Sequence, residues 1–238
     1  MEYIGIIPAR YDSTRFPGKP LADINGKPMI QRVYEQCKKN NILSEVYVAT
    51  DDTRIEQAVL GFNGKVIMTS DSCKTGTERC YDAVKRSSLN AEVIVNIQGD
   101  EPGISPLQID RVCSLFNNSW VNIGTLAKEI TKHSDITDPN KVKVTFNDKN
   151  EALNFSREKI INDSYNHYYK HIGIYAYRVS TLKNIVTLKE SKREKLERLE
   201  QLRWIDNSYD IYVSITDEEN IGIDTPEDLK RFLKDNNN

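Results

Sequence analysis

Arg10, Arg15 and Lys19 stand five and four residues apart in the stretch IPARYDSTRFPGKPL, Ile7 to Leu21. Pro8, Pro17 and Pro20 restrain that backbone and Gly18 opens it. Three cations on such a loop suit a polyphosphate, although a solvated basic surface loop would use the same residues. A second constellation is Asn96-Ile97-Gln98-Gly99-Asp100-Glu101-Pro102, where Gly99 permits a sharp turn and Pro102 fixes its exit. Hard divalent cations such as Mg²⁺ take one or two carboxylates and complete their shell with substrate phosphate oxygens. Asp100 and Asp224 each stand beside a predicted strand end with a turn behind it, so they could share one such ion. A turn-forming role for Asp100 and a capping role for Asp224 are the plainer readings. Between these lies Ser70–Arg79 (SDSCKTGTER), with Gly76 for backbone access, hydroxyls on Thr75 and Thr77, and charge on Lys74 and Arg79. It suits a nucleobase or ribose, or simply the start of a helix. Cys73 has no activating partner in the sequence and reads as an inert thiol.

These loops need strands to position them. Tyr3–Ile7, Glu45–Thr50, Lys65–Met68 and Glu92–Ile97 read as strands, and Pro28–Lys39, Thr53–Leu60, Thr77–Ser87 and Pro106–Phe116 as the helices between and after them. Asp51-Asp52 offers the cap of the second helix. The βαβα order of continuous apolar strands predicts a mostly parallel sheet covered on both faces, with ligands at the carboxyl ends of its strands. Beyond about residue 120 the pattern changes. Val121–Leu126, Val142–Phe146, Ala152–Phe155 and His171–Tyr177 read as strands of a smaller mixed or antiparallel lobe, with Asn147–Asn150 as a hairpin tip. Glu190–Trp204 reads as one charged helix with Leu196, Leu199 and Leu202 in a stripe, fit for burial or for a dimer interface. Tyr209–Ile215 is the last strand. Thr225-Pro226 with Asp228 then marks a helix start, leaving Asp224 just outside it. A short polar tail, Asp235–Asn238, ends the chain.

The sequence has 238 residues and a formal net charge of −2, which argues against nucleic acid as the main partner. Cys37, Cys73, Cys80 and Cys113 are scattered, so no zinc site or disulfide framework is expected. No apolar run reaches the roughly 20 residues of a membrane span, and no signal peptide precedes the first strand. A cytoplasmic protein is expected. Neither GxGxxG nor GxxxxGK[ST] occurs, which disfavours a Rossmann dehydrogenase and a Walker-type loop.

In their order, the motifs IPARYDSTRFPGKPLADINGKPMI, VATDD, TGTER, NIQGDEP, HIGIYAYR, LEQLR and GIDTPEDL resemble those of the 3-deoxy-manno-octulosonate (Kdo) cytidylyltransferases. The resemblance runs from Ile7 to Leu229. Sialic acid cytidylyltransferases look similar in the first loop and less so afterwards. The resemblance implies a single α/β nucleotidyltransferase domain, Rossmann-like and glycosyltransferase-A-like, with a smaller mixed-sheet lobe. Residues 1–120 and 209–238 would form the CTP-binding core, and 121–208 a sugar-binding and dimerisation lobe. It implies Mg²⁺-dependent transfer of CMP from CTP to the anomeric C2 hydroxyl of Kdo, for lipopolysaccharide or capsule, by a homodimer. A related acid, such as 8-amino-Kdo, another ulosonic or nonulosonic acid or a phosphonate, is the rival acceptor. A non-catalytic nucleotide-binding protein is the rival of another class, disfavoured by the presence of both Asp100 and Asp224.

By the same analogy, Arg10, Lys19, Asp100 and Asp224 form the catalytic set, the two aspartates holding Mg²⁺. Arg10, Arg15, Lys19, Thr75, Gly76, Thr77 and Arg79 would bind CTP. Gln98, Arg157, His171, Glu200 and Gln201 would take the acidic sugar, Arg157 being a natural bidentate partner for its carboxylate. The chain departs from the family pattern at Cys73, where a histidine is usual, and at Thr75, where serine is. It departs again after Ser156-Arg157, where Glu158-Lys159-Ile160-Ile161-Asn162-Asp163 replaces P-I-P and a basic residue. These departures bear on the acceptor rather than on the phosphate loop.

Overall fold

The apolar run ahead of the cationic loop forms β1 (Tyr3–Pro8), buried at five consecutive positions, as a strand covered on both faces must be. The computed structural model describes residues 1–13, 15–160, 167–219 and 221–235. The expected tail beyond Asp235 and most of the divergent stretch after Ile160 lie outside them. The chain divides into two compact units, residues 1–110 with 220–238, and residues 111–219. The second is longer at both ends than the expected lobe of 121–208.

In the first unit, β1 is followed by a small hairpin of β2 (Asp23–Ile24) and β3 (Lys27–Pro28), turned at Asn25 and Gly26. Then come α1 (Met29–Lys38), β4 (Leu43–Thr50), α2 (Thr53–Gly61), β5 (Val66–Met68), α3 (Gly76–Ser87), β6 (Val93–Asn96) and the first half of α4 (Pro106–Ser114). Strands β6, β1, β4 and β5 lie side by side in that order, every pair parallel. Successive crossovers carry the chain from β1 outward to β4 and β5, then back past β1 to β6. The order therefore reverses between β1 and β6, and the crevice beyond their carboxyl ends is where such sheets bind ligands.

Local chemistry starts the helices as expected. The Asp52 carboxylate accepts from Arg54 N at 2.9 Å, and Thr75 Oγ1 accepts from Glu78 N at 3.1 Å. The helix that closes the chain caps itself reciprocally. Asp228 N donates to Thr225 Oγ1 at 3.2 Å and Thr225 N donates to Asp228 Oδ2 at 3.0 Å.

The second unit holds β7 (Ile123–Glu129), α5 (His133–Ile136), β8 (Lys143–Phe146), β9 (Ala152–Ser156), β10 (Tyr169–Arg178), α6 (Val179–Ile185), α7 (Lys192–Glu197), α8 (Gln201–Asp206) and β11 (Tyr212–Ile215). Strand β7 pairs parallel with β11 and antiparallel with β10. The start of β10 pairs with β8, and β8 with β9 across the Asn147–Asn150 turn. The mixed sheet is as expected, but β11 belongs to it, whereas residues 209–238 were expected in the nucleotide-binding core. Trp204 and Tyr177 fill its core edge to face, with ring centroids 5.6 Å apart.

One expected element is corrected. Glu190–Trp204 is not a single helix but α7 and α8, separated at Arg198, whose φ is 55°. The buried Arg203 guanidinium grips both oxygens of the Glu194 carboxylate, at 2.7 and 2.6 Å. In one straight helix these residues would sit about 13.5 Å apart along the axis. The break lets them meet. It also disperses the leucine stripe, burying Leu199 and Leu202 while leaving Leu196 83% exposed.

The last helix, α9 (Pro226–Asp235), returns to the first unit. Its Leu229, Phe232 and Leu233 pack with Ile223 against Phe16, Ala22, Ile24 and Met29. Phe16 and Ala22 come from the cationic loop and its exit and Ile223 precedes Asp224, so one apolar cluster holds both the loop and the approach to Asp224.

Candidate active site

A cleft of about 290 Å³ opens at the carboxyl ends of the first unit's strands, lined from the β1, β5 and β6 loops and from Asp224. Its backbone geometry depends on two glycines. A Cβ on Gly99 would lie 2.9 Å from the Pro8 carbonyl, so the β6 loop reaches the end of β1 only with glycine there. Gly18, at φ 70°, turns the chain into the 3₁₀ turn Lys19–Leu21, and its N–H donates to Tyr11 O at 2.9 Å. Lys19 is thereby aimed into the cleft.

The two aspartates meet there despite their separation in sequence. Ile223 N donates to the Asp100 carbonyl at 2.9 Å, which ties the strand-end turn to the segment before α9. Lys19 Nζ lies 2.6 Å from Asp100 Oδ2 and 3.2 Å from Asp224 Oδ1. Arg15 Nη2 lies 3.0 Å from the same Asp224 oxygen. The two carboxylates thus converge on one cationic atom. Among the described residues no group of three or more His, Cys, Asp or Glu side chains converges in this way. A carboxylate pair fits an oxygen-loving divalent cation whose remaining ligands come from phosphate and water, and not a closed structural metal site.

Arg10 also lines the cleft, its Nη1 at 3.5 Å from the Lys74 carbonyl. Lys74, Thr75 and Gly76 line it at the N-terminus of α3, where the positive end of the helix dipole favours anions. Lining cations outnumber lining carboxylates, five to two. Arg79 is placed differently from a free phosphate ligand. Only 3% exposed, it pairs with Asp51 Oδ1 at 3.1 Å and Thr69 Oγ1 at 2.7 Å, bracing the ends of β4 and β5 under the cleft. Thr77 is buried in the first turn of α3 and does not line the cleft. The Cys73 thiol is pushed up by burial and by the nearby Asp82 carboxylate, which agrees with an unreactive group.

Gln98 lines the cleft, with Nε2 at 3.3 Å from Asn96 Oδ1. The other expected sugar residues belong to the second unit. Arg157 Nε donates to the Glu197 carbonyl at 2.9 Å and its Nη1 to the Pro139 carbonyl at 3.2 Å, while the Glu197 carboxylate accepts from Arg157 N and Ser156 Oγ. Buried Lys143 donates to the carbonyls of Arg157 and Asp138. Glu200 stands at the N-cap of α8, and Gln201 is buried in its first turn.

His171 lies edge-on to Phe155 and tilted against Tyr175, with Nε2 2.9 Å from Thr125 Oγ1. The Thr125 hydroxyl faces the carbonyls of Ile174 and Ile172 at 2.8 and 3.2 Å, so its one proton goes to a carbonyl. Its oxygen then accepts from His171 Nε2–H, leaving Nδ1 as the lone-pair nitrogen. Burial pushes the imidazole pKa down from 6.5 to about 3, so the ring is neutral.

Sequence reasoning missed the bracing role of Asp51, taking it as part of a cap that Asp52 makes alone, and it missed Lys143 and Glu197. Nothing local marked Lys143 or Glu197.

Comparison with known proteins bears directly on this cleft. A family model described as Cytidylyltransferase matches residues 4–215. A 3-deoxy-manno-octulosonate cytidylyltransferase of Parabacteroides distasonis is 52% identical, the alignment covering 98% of this chain and 97% of that protein. An 8-amino-3,8-dideoxy-manno-octulosonate cytidylyltransferase of Shewanella sediminis is 46% identical, with 94% of each covered. A solved CMP:2-keto-3-deoxy-manno-octonic acid synthetase complexed with CTP shares 39% identity and superposes with a TM-score of 0.93 over 98% of both chains.

Proposed function

The chain belongs to the cytidylyltransferase family, and from that premise we propose that it transfers CMP from CTP to the anomeric C2 hydroxyl of 3-deoxy-manno-octulosonate, releasing pyrophosphate. The observation that carries the reading is the convergence of Asp100 and Asp224 on one cation beside Arg10 and Arg15, at the β1/β6 crevice.

Arg10, Arg15, Lys19 and the N-terminus of α3 bind the triphosphate. Charge builds on the leaving pyrophosphate in the transition state, and cations already fixed around it stabilise it without reorganisation. Thr75 and Gly76 shape the nucleoside end of the site, and buried Thr77 and Arg79 support it from beneath. Asp100 and Asp224 would hold Mg²⁺, which their all-oxygen donor set suits. When bound, that ion supplies charge to the phosphate and acidifies the attacking hydroxyl, so that no side chain need serve as general base. Gln98, Arg157, His171, Glu200 and Gln201 take the acid, with the Arg157 guanidinium on its carboxylate and the neutral His171 accepting from a hydroxyl. We further place the reaction in the cytoplasm, with a homodimer formed through the second unit. In that unit Leu153 on β9 and Leu196 on α7 are exposed, and Arg193 links the two elements through Asn154.

The Shewanella relative makes 8-amino-Kdo the second acceptor to weigh, since the departures after Arg157 fall among the sugar residues. Pyrophosphate release measured with CTP and Mg²⁺ over a panel of acids decides, run beside ATP, GTP and UTP. The panel is Kdo, 8-amino-Kdo, other ulosonic and nonulosonic acids and a phosphonate. Turnover is expected with CTP and Kdo. Turnover with another acid and none with Kdo would replace the acceptor, and no turnover with any acid would leave a nucleotide-binding protein.

A further inference from the structure

We infer that Lys19 is the resident counter-cation of the carboxylate pair in the nucleotide-free protein, and that it makes divalent-cation binding contingent on a triphosphate. The inference rests on the reading of Asp100 and Asp224 as metal ligands, and adds how that site is loaded.

The Lys19 ammonium already occupies the position between Asp100 Oδ2 and Asp224 Oδ1, at 2.6 and 3.2 Å. Arg15 shares the Asp224 oxygen at 3.0 Å. Two carboxylates therefore face two cations, and the local charge is balanced before any metal arrives. Lys19 is also confined. Its side chain is 13% exposed, and its backbone is fixed in the 3₁₀ turn between Gly18 and Pro20.

A divalent cation entering alone must expel the ammonium, because both need the same two oxygens. The rest of the cleft gives the ammonium nowhere favourable to go, since Arg10 and Lys74 are like charges. The metal in turn would gain only two protein ligands, against the six it prefers. A triphosphate changes both sides of the exchange. Its oxygens complete the metal's shell, and its charge receives the displaced ammonium, whose flexible stem allows a short swing on a fixed backbone. Metal and nucleotide thus raise each other's affinity, and linkage requires the coupling to be reciprocal.

The probe is Mn²⁺, titrated into the full-length protein and followed by water proton relaxation, which reads protein-bound ion rather than turnover. Wild type, Lys19→Met and Lys19→Arg are compared with and without CTP. Lys19→Met keeps an unbranched side chain one atom shorter and removes the charge. Without CTP, it is expected to bind Mn²⁺ at least about tenfold more tightly than wild type, because no ammonium competes with the ion for the two carboxylates. Its gain in Mn²⁺ affinity on adding CTP shrinks by a similar factor, while Lys19→Arg stays close to wild type. Equal affinity of wild type and Lys19→Met for Mn²⁺ alone, or tighter binding by wild type, overturns the inference. Asp100→Asn and Asp224→Asn test the underlying reading separately. If both bind Mn²⁺ with CTP as well as wild type does, the metal site itself is wrong, whatever Lys19 does.

Discussion

At Asp224 a single carboxylate oxygen faces two cations, yet the side chain is 47% exposed. Partly solvated ion pairs of this kind contribute at most about 1 kcal/mol to the fold. Asp100→Asn and Asp224→Asn should therefore melt within a few degrees of wild type. Their turnover should fall at least about a hundredfold, because a transition-state charge contact is lost. Near-normal turnover in either variant would remove that residue from the catalytic set. His171 offers a test by pH. Its folded-state pKa is held near 3 by burial, against 6.5 for the free group, so between those values the unfolded chain binds a proton that the folded protein refuses. The stability His171 confers is complete above about pH 6.5 and declines as pH falls toward 3. In thermal melts, the advantage of wild type over the non-titrating His171→Gln should shrink from about pH 7.5 to about pH 4.5. An advantage that grew on acidification would mean that the ring is charged in the fold.

Where an element was legible in the sequence, its own residues carried the signal. The apolar runs at 45–50 and 92–97 became β4 and β6, and Asp52, Thr75 and Thr225 start their helices by side-chain hydrogen bonds three residues or fewer away. The same locality made the three cleft loops readable, because parallel strands bring every carboxyl-end loop to one edge. The break at Arg198 was not legible, since its cause is the distant pairing of Glu194 with Arg203. Nor was the buried state of Arg79, which depends on Asp51 at the end of a different strand. Two outcomes follow for the elements. Thr225→Ala removes the α9 cap and should cost about 1 kcal/mol in urea unfolding. It should also weaken CTP binding, because Asp224 N shares the Asp228 carboxylate with that cap. Arg203→Met strands the buried Glu194 and should cost about 3–5 kcal/mol, whereas adding Glu194→Met should restore much of the loss. Additive losses in that cycle would show that the two side chains act independently.

The molecule as a whole carries a net charge of −2, so its cationic cleft is a local arrangement and not a consequence of composition. The second unit shows a matching local anomaly in its apolar surface. An isolated exposed leucine is ordinary, but here one breaks the stripe that the sequence suggested. Leu199 and Leu202 turn inward at the Arg198 break, while Leu196 is left almost fully in solvent. Leu153 is exposed on β9, which pairs with β8 and also donates from Ala152 N to the Ile211 carbonyl. An edge strand only partly covered, with an apolar residue in solvent, invites association. Under the proposed homodimer, the solution mass is twice the 27.3 kDa of the chain. Leu196→Lys combined with Leu153→Lys puts a charge at each exposed leucine and should shift the protein toward the mass of one chain in sedimentation equilibrium. Its melting should remain cooperative, because neither side chain belongs to the core. A wild-type protein that sediments as a single chain at micromolar concentration would end the dimer proposal. A double variant that stays dimeric would move the interface to another face of the second unit.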